Sequence, residues 1–225
     1  MINILSSHRI YNHPKVKDEV LKHVNNKSKI CVIAYSFFES EFTQESYELS
    51  YEKDGRWYLH IIEPFLELGL NEDNFSWVVY NKDSREAAIN KIDRADVIFL
   101  PGGAPDLFVA RLKEQGLFEH LKKSDKIMMG PSAGTMIQFD QFHISKDYDY
   151  KKFSIHEGLG FIKDFGVEVH YRRRKQQKKG IRRMSHLDPR PIYVVNEDGM
   201  MILEDNKIIF KYQVKKYYQN GRKIK

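Results

Sequence analysis

The sequence predicts an α/β fold: a doubly wound, mostly parallel sheet flanked by helices, with a small C-terminal β-hairpin extension. Three observations predict it. From residue 1 to about residue 140, short β-favouring runs alternate with segments of helical period, which is the βαβ pattern. The run from Lys29 to Tyr35 (KICVIAY) is almost continuously apolar, as a parallel strand covered on both faces requires. Beyond residue 150 the strands shorten, and the last two can pair across Glu204-Asp205-Asn206.

Ile2 to Leu5 reads as a short buried strand. Between Lys15 and Asn25, Val16, Val20, Leu21 and Val24 recur at helical spacing. After the strand at Lys29–Tyr35, Arg56 to Leu68 carries Trp57, Ile61, Phe65 and Leu68 on one helical stripe. Phe75 to Tyr80 is a strand, and Ser84 caps a helix that runs to Ile92. Val97 to Leu100 is a strand stopped by Pro101-Gly102-Gly103. Asp106–Lys113 and Leu117–Leu121 are helical pieces. Lys126 to Met129 is a strand, followed by a helix over Ala133–Phe139. The later strands are Phe165–Val169, Ile192–Val195, Met200–Leu203 and Lys207–Tyr212. With no internal repeat and no Pro-, Gly- or Ser-rich linker, one domain over residues 1–225 is the simplest division.

With 41% apolar residues the chain is globular rather than disordered. No run approaches the roughly 18–20 apolar residues of a membrane span, and the first five residues are too short for a signal peptide. A single cysteine, Cys31, forbids an internal disulfide. Together these features predict a reducing, cytoplasmic setting. The net charge of +6 is local: eight basic residues lie between Arg172 and Arg183, and without them the charge is −2. One segment therefore carries the positive field.

Gly130-Pro131-Ser132-Ala133-Gly134 matches G-x-S-x-G between a strand and a helix, the context in which that motif forms a nucleophile elbow. The serine must sit on a sharp turn to expose its hydroxyl, and small flanking residues let strand and helix pass close beside it. The helix start supplies N–H groups for a developing oxyanion. The plain alternative is a serine in an ordinary loop. Gly102-Gly103, also after a strand, serves equally as a tight turn or as the second half of an oxyanion hole. Both loops fall at the carboxyl edge of the sheet, where open α/β sheets bind ligands.

A nucleophilic serine needs a base, and a third group to orient that base. Of nine histidines, His170 ends the apolar run from Phe165 to Val169, a rigid place from which to present a ring. Asn196-Glu197-Asp198-Gly199 follows the strand at Ile192–Val195, so Asp198 or Glu197 can supply the acid. The resulting order of serine, histidine, acid differs from the serine, acid, histidine order of α/β-hydrolases.

These motifs resemble the S51 serine peptidases, which include aspartyl dipeptidase (peptidase E) and cyanophycinase. That family has a fold similar to class I glutamine amidotransferases, with serine at the elbow. The resemblance rests on Ser6-Ser7, Leu100-Pro101-Gly102-Gly103, the elbow at Gly130–Gly134, Val169-His170-Tyr171, and Asp198-Gly199 before Met200-Met201-Ile202. It implies Ser132 as nucleophile, His170 as base, and the backbone N–H groups of Gly103 and Ala133 as oxyanion donors. For the acid it ranks Asp198 first and Glu197 second. Asp147, or its neighbour Asp149, comes third. Ala104-Pro105 stands where the family usually has Asn, and a basic run follows His170, so strict aspartyl dipeptidase specificity does not follow.

The basic segment from Arg172 to Arg183 begins two residues after the proposed base and reads as a loop bordering the site. Arginines there can grip a substrate carboxylate in two-pronged fashion. The resemblance sets Arg182 or Arg183 at the place of a substrate-gripping arginine. A solvated loop is the plain alternative. A nucleic-acid surface is disfavoured by the acidic remainder of the chain and by the lack of interleaved aromatic residues. The reading is a serine peptidase acting on small peptides, with an acidic group near the scissile bond favoured. A related serine amidase, or a non-catalytic binding protein of the same fold, is the alternative. Neither a cofactor, a metal, a nucleic acid nor a membrane partner is called for, and the protein is expected as a monomer or homodimer. The scattered histidines show no metal-binding spacing.

Overall fold

The computed structural model describes residues 1–41 and 43–224. Its main sheet is built in chain order from β1 (Ile2–Ser6), β2 (Ile30–Ala34), β3 (Phe75–Val79), β4 (Val97–Phe99) and β5 (Ile127–Pro131), which pair in parallel in the spatial order β3-β2-β4-β5-β1. Alternate residues of these strands enter two different cores. Cys31, Ile33, Ile98 and Met128 face α4 (Arg85–Asp93), α5 (Pro105–Glu114), α6 (Phe118–Lys122) and α7 (Ala133–Met136). Ile30, Val32, Ala34, Val97, Phe99 and Met129 face α1 (Lys17–Leu21), α2 (Gln44–Tyr51) and α3 (Arg56–Leu66). Two helical layers on one sheet explain why its strands are apolar on both faces. The Ser84 cap of α4 forms as predicted, its hydroxyl accepting from the Ala87 N–H, an arrangement typically worth about 1 kcal/mol.

The C-terminal part extends this sheet. A small separate hairpin, β6 (Gln141–Ile144) with β7 (Ser154–Glu157), precedes β8 (Gly166–Glu168) and α8 (Lys175–Leu187). β9 (Ile192–Glu204) pairs antiparallel with β1, β10 (Lys207–Gln219) pairs with β9 as the predicted hairpin, and β11 (Arg222–Lys223) closes the edge. Only the second half of β9 lies beside β1; Met200 is opposite Ser6, the last residue of β1. Its first half therefore overhangs the carboxyl edge, and β8 pairs in parallel with that overhang. A chain leaving β8 returns towards the carboxyl edge and delivers His170 there.

Arg172 to Arg174 form the expected loop beside the cleft, but from Lys175 on the basic segment is a helix. Gly180, Ile181, Met184 and Ser185 of α8 are buried, while Lys175, Gln176, Lys178, Lys179, Arg182 and Arg183 are exposed. The apolar stripe is only a few residues wide, and the surrounding charges conceal its period in the sequence. No helix among the described residues is long and apolar enough to cross a membrane.

Candidate active site

β5 ends at Pro131 and α7 begins at Ala133, so the reversal falls on Ser132, with φ 51° and ψ −114°. This is the strained strand-to-helix turn expected of a nucleophile elbow, a conformation that costs about 1–3 kcal/mol in a non-glycine residue. The surroundings over-determine it. The Ser132 N–H donates to the Ser6 carbonyl (2.9 Å). The buried Thr135 hydroxyl accepts from the Ser6 N–H (2.8 Å) and reaches the carbonyls of Ser6 and Gly130 (2.9 and 2.8 Å). Both elbow glycines are obligatory: a Cβ at Gly130 or Gly134 would sit 2.1 or 1.7 Å from the Leu100 carbonyl oxygen.

The Gly102-Gly103 turn follows β4 and lies against the elbow. A Cβ on Gly102 would be 3.3 Å from that of Ser132. Gly103 has φ 143°, and a side chain there would strike the Ser36 carbonyl at 2.0 Å. The turn is held by the Ser36 hydroxyl donating to the Gly102 carbonyl (2.7 Å) and by the Ala104 N–H donating to the Ser36 carbonyl (2.6 Å). Ala133 is the first residue of its helix and has no intrahelical acceptor for its N–H. The turn and the helix start thus flank the serine with backbone N–H groups.

His170 has φ 52°, and its backbone is fixed from both sides. Its N–H donates to the Ser7 hydroxyl (2.8 Å), which in turn donates to the Val195 carbonyl (3.1 Å). Its carbonyl accepts from the Gln177 side chain (2.7 Å) at the start of α8. The ring points Nδ1 at Glu197 Oε2 (3.2 Å), which leaves Nε2 free of that carboxylate. His170 and Ser132 line one cleft of about 600 Å³, within the usual range for ligand sites. The Ser132 hydroxyl makes no hydrogen bond to the described residues, His170 included; such contacts are often open before substrate binds.

The carboxylate at His170 is Glu197, not the first-ranked Asp198. Residues 196–199 of β9 stand opposite Gln213 alone, between the Val195–Val214 and Met200–Tyr212 pairs. This bulge re-aims the side chains. Glu197 turns into the cleft, while Asp198 is exposed beside Arg173 and Gln213 in a separate depression. Gly199 is required there, since its Cβ would lie 2.7 Å from the Val195 side chain. Asp147 and Asp149 line the cleft, but Asp147 accepts from the N–H groups of Asp149 and Tyr150 in its own turn rather than from His170.

Glu197 also receives His8 Nε2 on Oε2 (2.5 Å) and the Arg172 guanidinium on Oε1. Burial alone would raise its carboxyl; the hydrogen bonds from Arg172, His170 and His8 outweigh that effect and hold it at about 2. For His170, burial lowers the imidazole below its ordinary range, and the neighbouring His8 and Arg172 act in the same direction against the pull of Glu197. The ring is therefore neutral, able to accept a proton, at neutral pH. His8, His170 and Glu197 place ligand atoms within 4.8 Å of one another, close enough to hold a metal ion. The Arg172 guanidinium on the same carboxylate opposes a second positive charge there. Burial pushes the Cys31 thiol up to about 12, so it is no rival nucleophile.

The cations of the cleft are Lys146, Arg172, Arg174 and Lys175. Arg182 and Arg183, the candidate substrate grips, lie further along α8 on its exposed face and do not line the cleft. Instead the Arg183 guanidinium lies 4.6 Å from the Phe153 ring centroid. Sequence reasoning missed Ser7, Gln177 and His8 as the groups that hold the His170–Glu197 pair. Ser7 alone had a signal, as part of the Ser6-Ser7 pair.

The model of peptidase family S51 matches residues 50–211. Among solved structures, the chain is similar to one described as a "Putative Peptidase E Protein" from Listeria monocytogenes EGD-e, with a TM-score of 0.65 and 16% identity over 94% of this chain and 98% of that one. It is also similar to a peptidase from an acI-B1 Actinobacterium, with a TM-score of 0.60 and 16% identity over 98% of this chain and 91% of that one. At such identities the likeness is one of fold. No curated protein matches the chain.

Proposed function

The chain belongs to peptidase family S51 and is a serine-type peptidase, and from that premise we propose that it hydrolyses short peptides through Ser132, His170 and Glu197. The observation that carries this reading is the pairing, across one cleft, of a strained, half-exposed serine with a histidine whose Nδ1 is held by a half-buried carboxylate. In this mechanism Ser132 Oγ attacks the scissile carbonyl while His170 Nε2 takes its proton. Glu197 fixes the tautomer and stabilises the imidazolium that forms. The N–H groups of Gly103 and Ala133 receive the oxyanion. His170 then protonates the leaving amine, and water, activated by the same ring, releases the acyl group from Ser132.

The substrate class follows from charge. Lys146, Arg174 and Lys175 line the cleft and form no ion pair among the described residues. They suit a carboxylate on the substrate, terminal or side-chain. These groups take the role that Arg182 and Arg183 were expected to fill. Digestion of a dipeptide and tripeptide library, with the Ser132→Ala protein as control, tests the reading. Cleavage should fall on short peptides, depend on Ser132, and favour those with a carboxylate near the scissile bond. Cleavage that persists in the control would refute it.

A further inference from the structure

Besides Asp147 and Asp149, the cleft contains a more deeply buried carboxylate that the hydrolytic machinery does not use. Glu168, the last residue of β8, is only 7% exposed yet lines the cleft. Its Oε2 accepts from His143 Nε2 (2.8 Å) on β6 and from the Ser145 hydroxyl (2.9 Å). His143 is itself 2% exposed and stacks on Phe153. The other oxygen, Oε1, accepts no hydrogen bond from the described residues. Nor does any of the four cations lining the cleft pair with Glu168: its one ion-pair partner is His143, while Arg172 is bound to Glu197. A carboxylate this buried normally has its oxygens satisfied. Here one is satisfied by fixed neighbours, and the other is left at the wall of a ligand-sized cleft.

We propose that Glu168 is a cation-recognition subsite, its Oε1 receiving an ammonium or guanidinium of the substrate. This deepens the peptidase reading and rests on it. His143 and Ser145 hold the carboxylate rigid through Oε2, so the acceptor is preorganised rather than recruited from solvent. With Lys146, Arg174 and Lys175 on the same cleft, the site becomes bipolar: it takes a short peptide with a positive group at Glu168 and a negative one at the basic side chains. The positive group has two possible sources, the free α-ammonium of an unblocked peptide or a lysine or arginine side chain.

Binding without turnover separates this proposal from the catalytic one. Titration calorimetry on the Ser132→Ala protein would compare tri-alanine, N-acetyl-tri-alanine, and an N-acetylated tripeptide with one lysine. The proposal expects about 10- to 100-fold tighter binding of a cationic peptide than of the acetylated neutral one. Preference for tri-alanine assigns the α-ammonium, and preference for the acetylated lysine peptide assigns the side chain. Adding Glu168→Gln, which keeps an acceptor for His143 and Ser145 but removes the charge, should abolish the difference. Equal affinity for all three peptides overturns the proposal with no further variant needed. So does an equal loss on all of them in Glu168→Gln, which would mark Glu168 as merely tying β6 to β8. Labelling of Ser132 by an uncharged fluorophosphonate in the unmodified protein tests the catalytic reading separately. Its absence there would count against that reading.

Discussion

Glu197 Oε2 lies 3.2 Å from His170 Nδ1, and the bulge that places it there turns the adjacent Asp198 out to solvent. Two neighbouring acids therefore have opposite expected effects. Glu197→Gln should lower kcat by about 10³- to 10⁴-fold, because an amide cannot fix the productive tautomer or stabilise the imidazolium. Asp198→Asn should leave kcat within about twofold, as exposed substitutions away from a site generally do. Steady-state kinetics on one good peptide would decide it; the reverse ranking would return the role to Asp198.

The pH profile has a definite sign. As the proposed base, His170 would act only when neutral, and burial, His8 and Arg172 lower its pKa from 6.5. Activity should rise as pH climbs through a midpoint below 6.5 and be flat by neutrality. Glu197, held at about 2, stays ionised throughout. A kcat/KM profile from pH 4 to 9 reads the free-enzyme midpoint. A midpoint above 7 would mean that the base is not in this environment.

Much of this geometry was legible in the sequence, and the exceptions have physical causes. The elbow, the glycine turn and the strand leading to His170 are local features whose residue types follow from backbone demands at Ser132, Gly103 and Gly130. The choice between Glu197 and Asp198 was not local: it depends on four residues of β9 standing opposite Gln213, which only strand pairing can reveal. The helix α8 was hidden because Ile181 and Met184 are its main apolar anchors among eight nearby charges. Glu168 and His143 meet only because β6 and β8 are brought together in space.

The elbow glycines should be intolerant of even one methyl group. Gly134→Ala places a Cβ 1.7 Å from the Leu100 carbonyl oxygen, a backbone atom that cannot move without the Gly102-Gly103 turn. Overpacking of this kind costs about 1–3 kcal/mol or more, so the melting temperature should drop by several degrees. Activity should fall further than the loss of folded protein explains. Thermal unfolding alongside active-site titration would measure both; an unchanged melting temperature would contradict the close approach.

The basic residues should divide by position. Arg174→Ala with Lys175→Ala should raise KM for peptides bearing an acidic group several-fold, with little effect on kcat, since the contact is made in ground and transition states alike. Added salt should shrink the difference. Arg182→Ala with Arg183→Ala should change neither parameter, because both side chains lie off the cleft. Michaelis constants for matched acidic and neutral peptides would show whether the division holds.

The central claim is that Ser132 is the nucleophile, and intact-mass measurement after exposure to a fluorophosphonate tests it most directly. The unmodified protein should gain one adduct, located on Ser132 by peptide mapping. Ser132→Ala should gain none while its thermal unfolding stays nearly unchanged, and Glu197→Gln should label far more slowly. An adduct on another residue, or peptide hydrolysis that survives Ser132→Ala, would contradict the account.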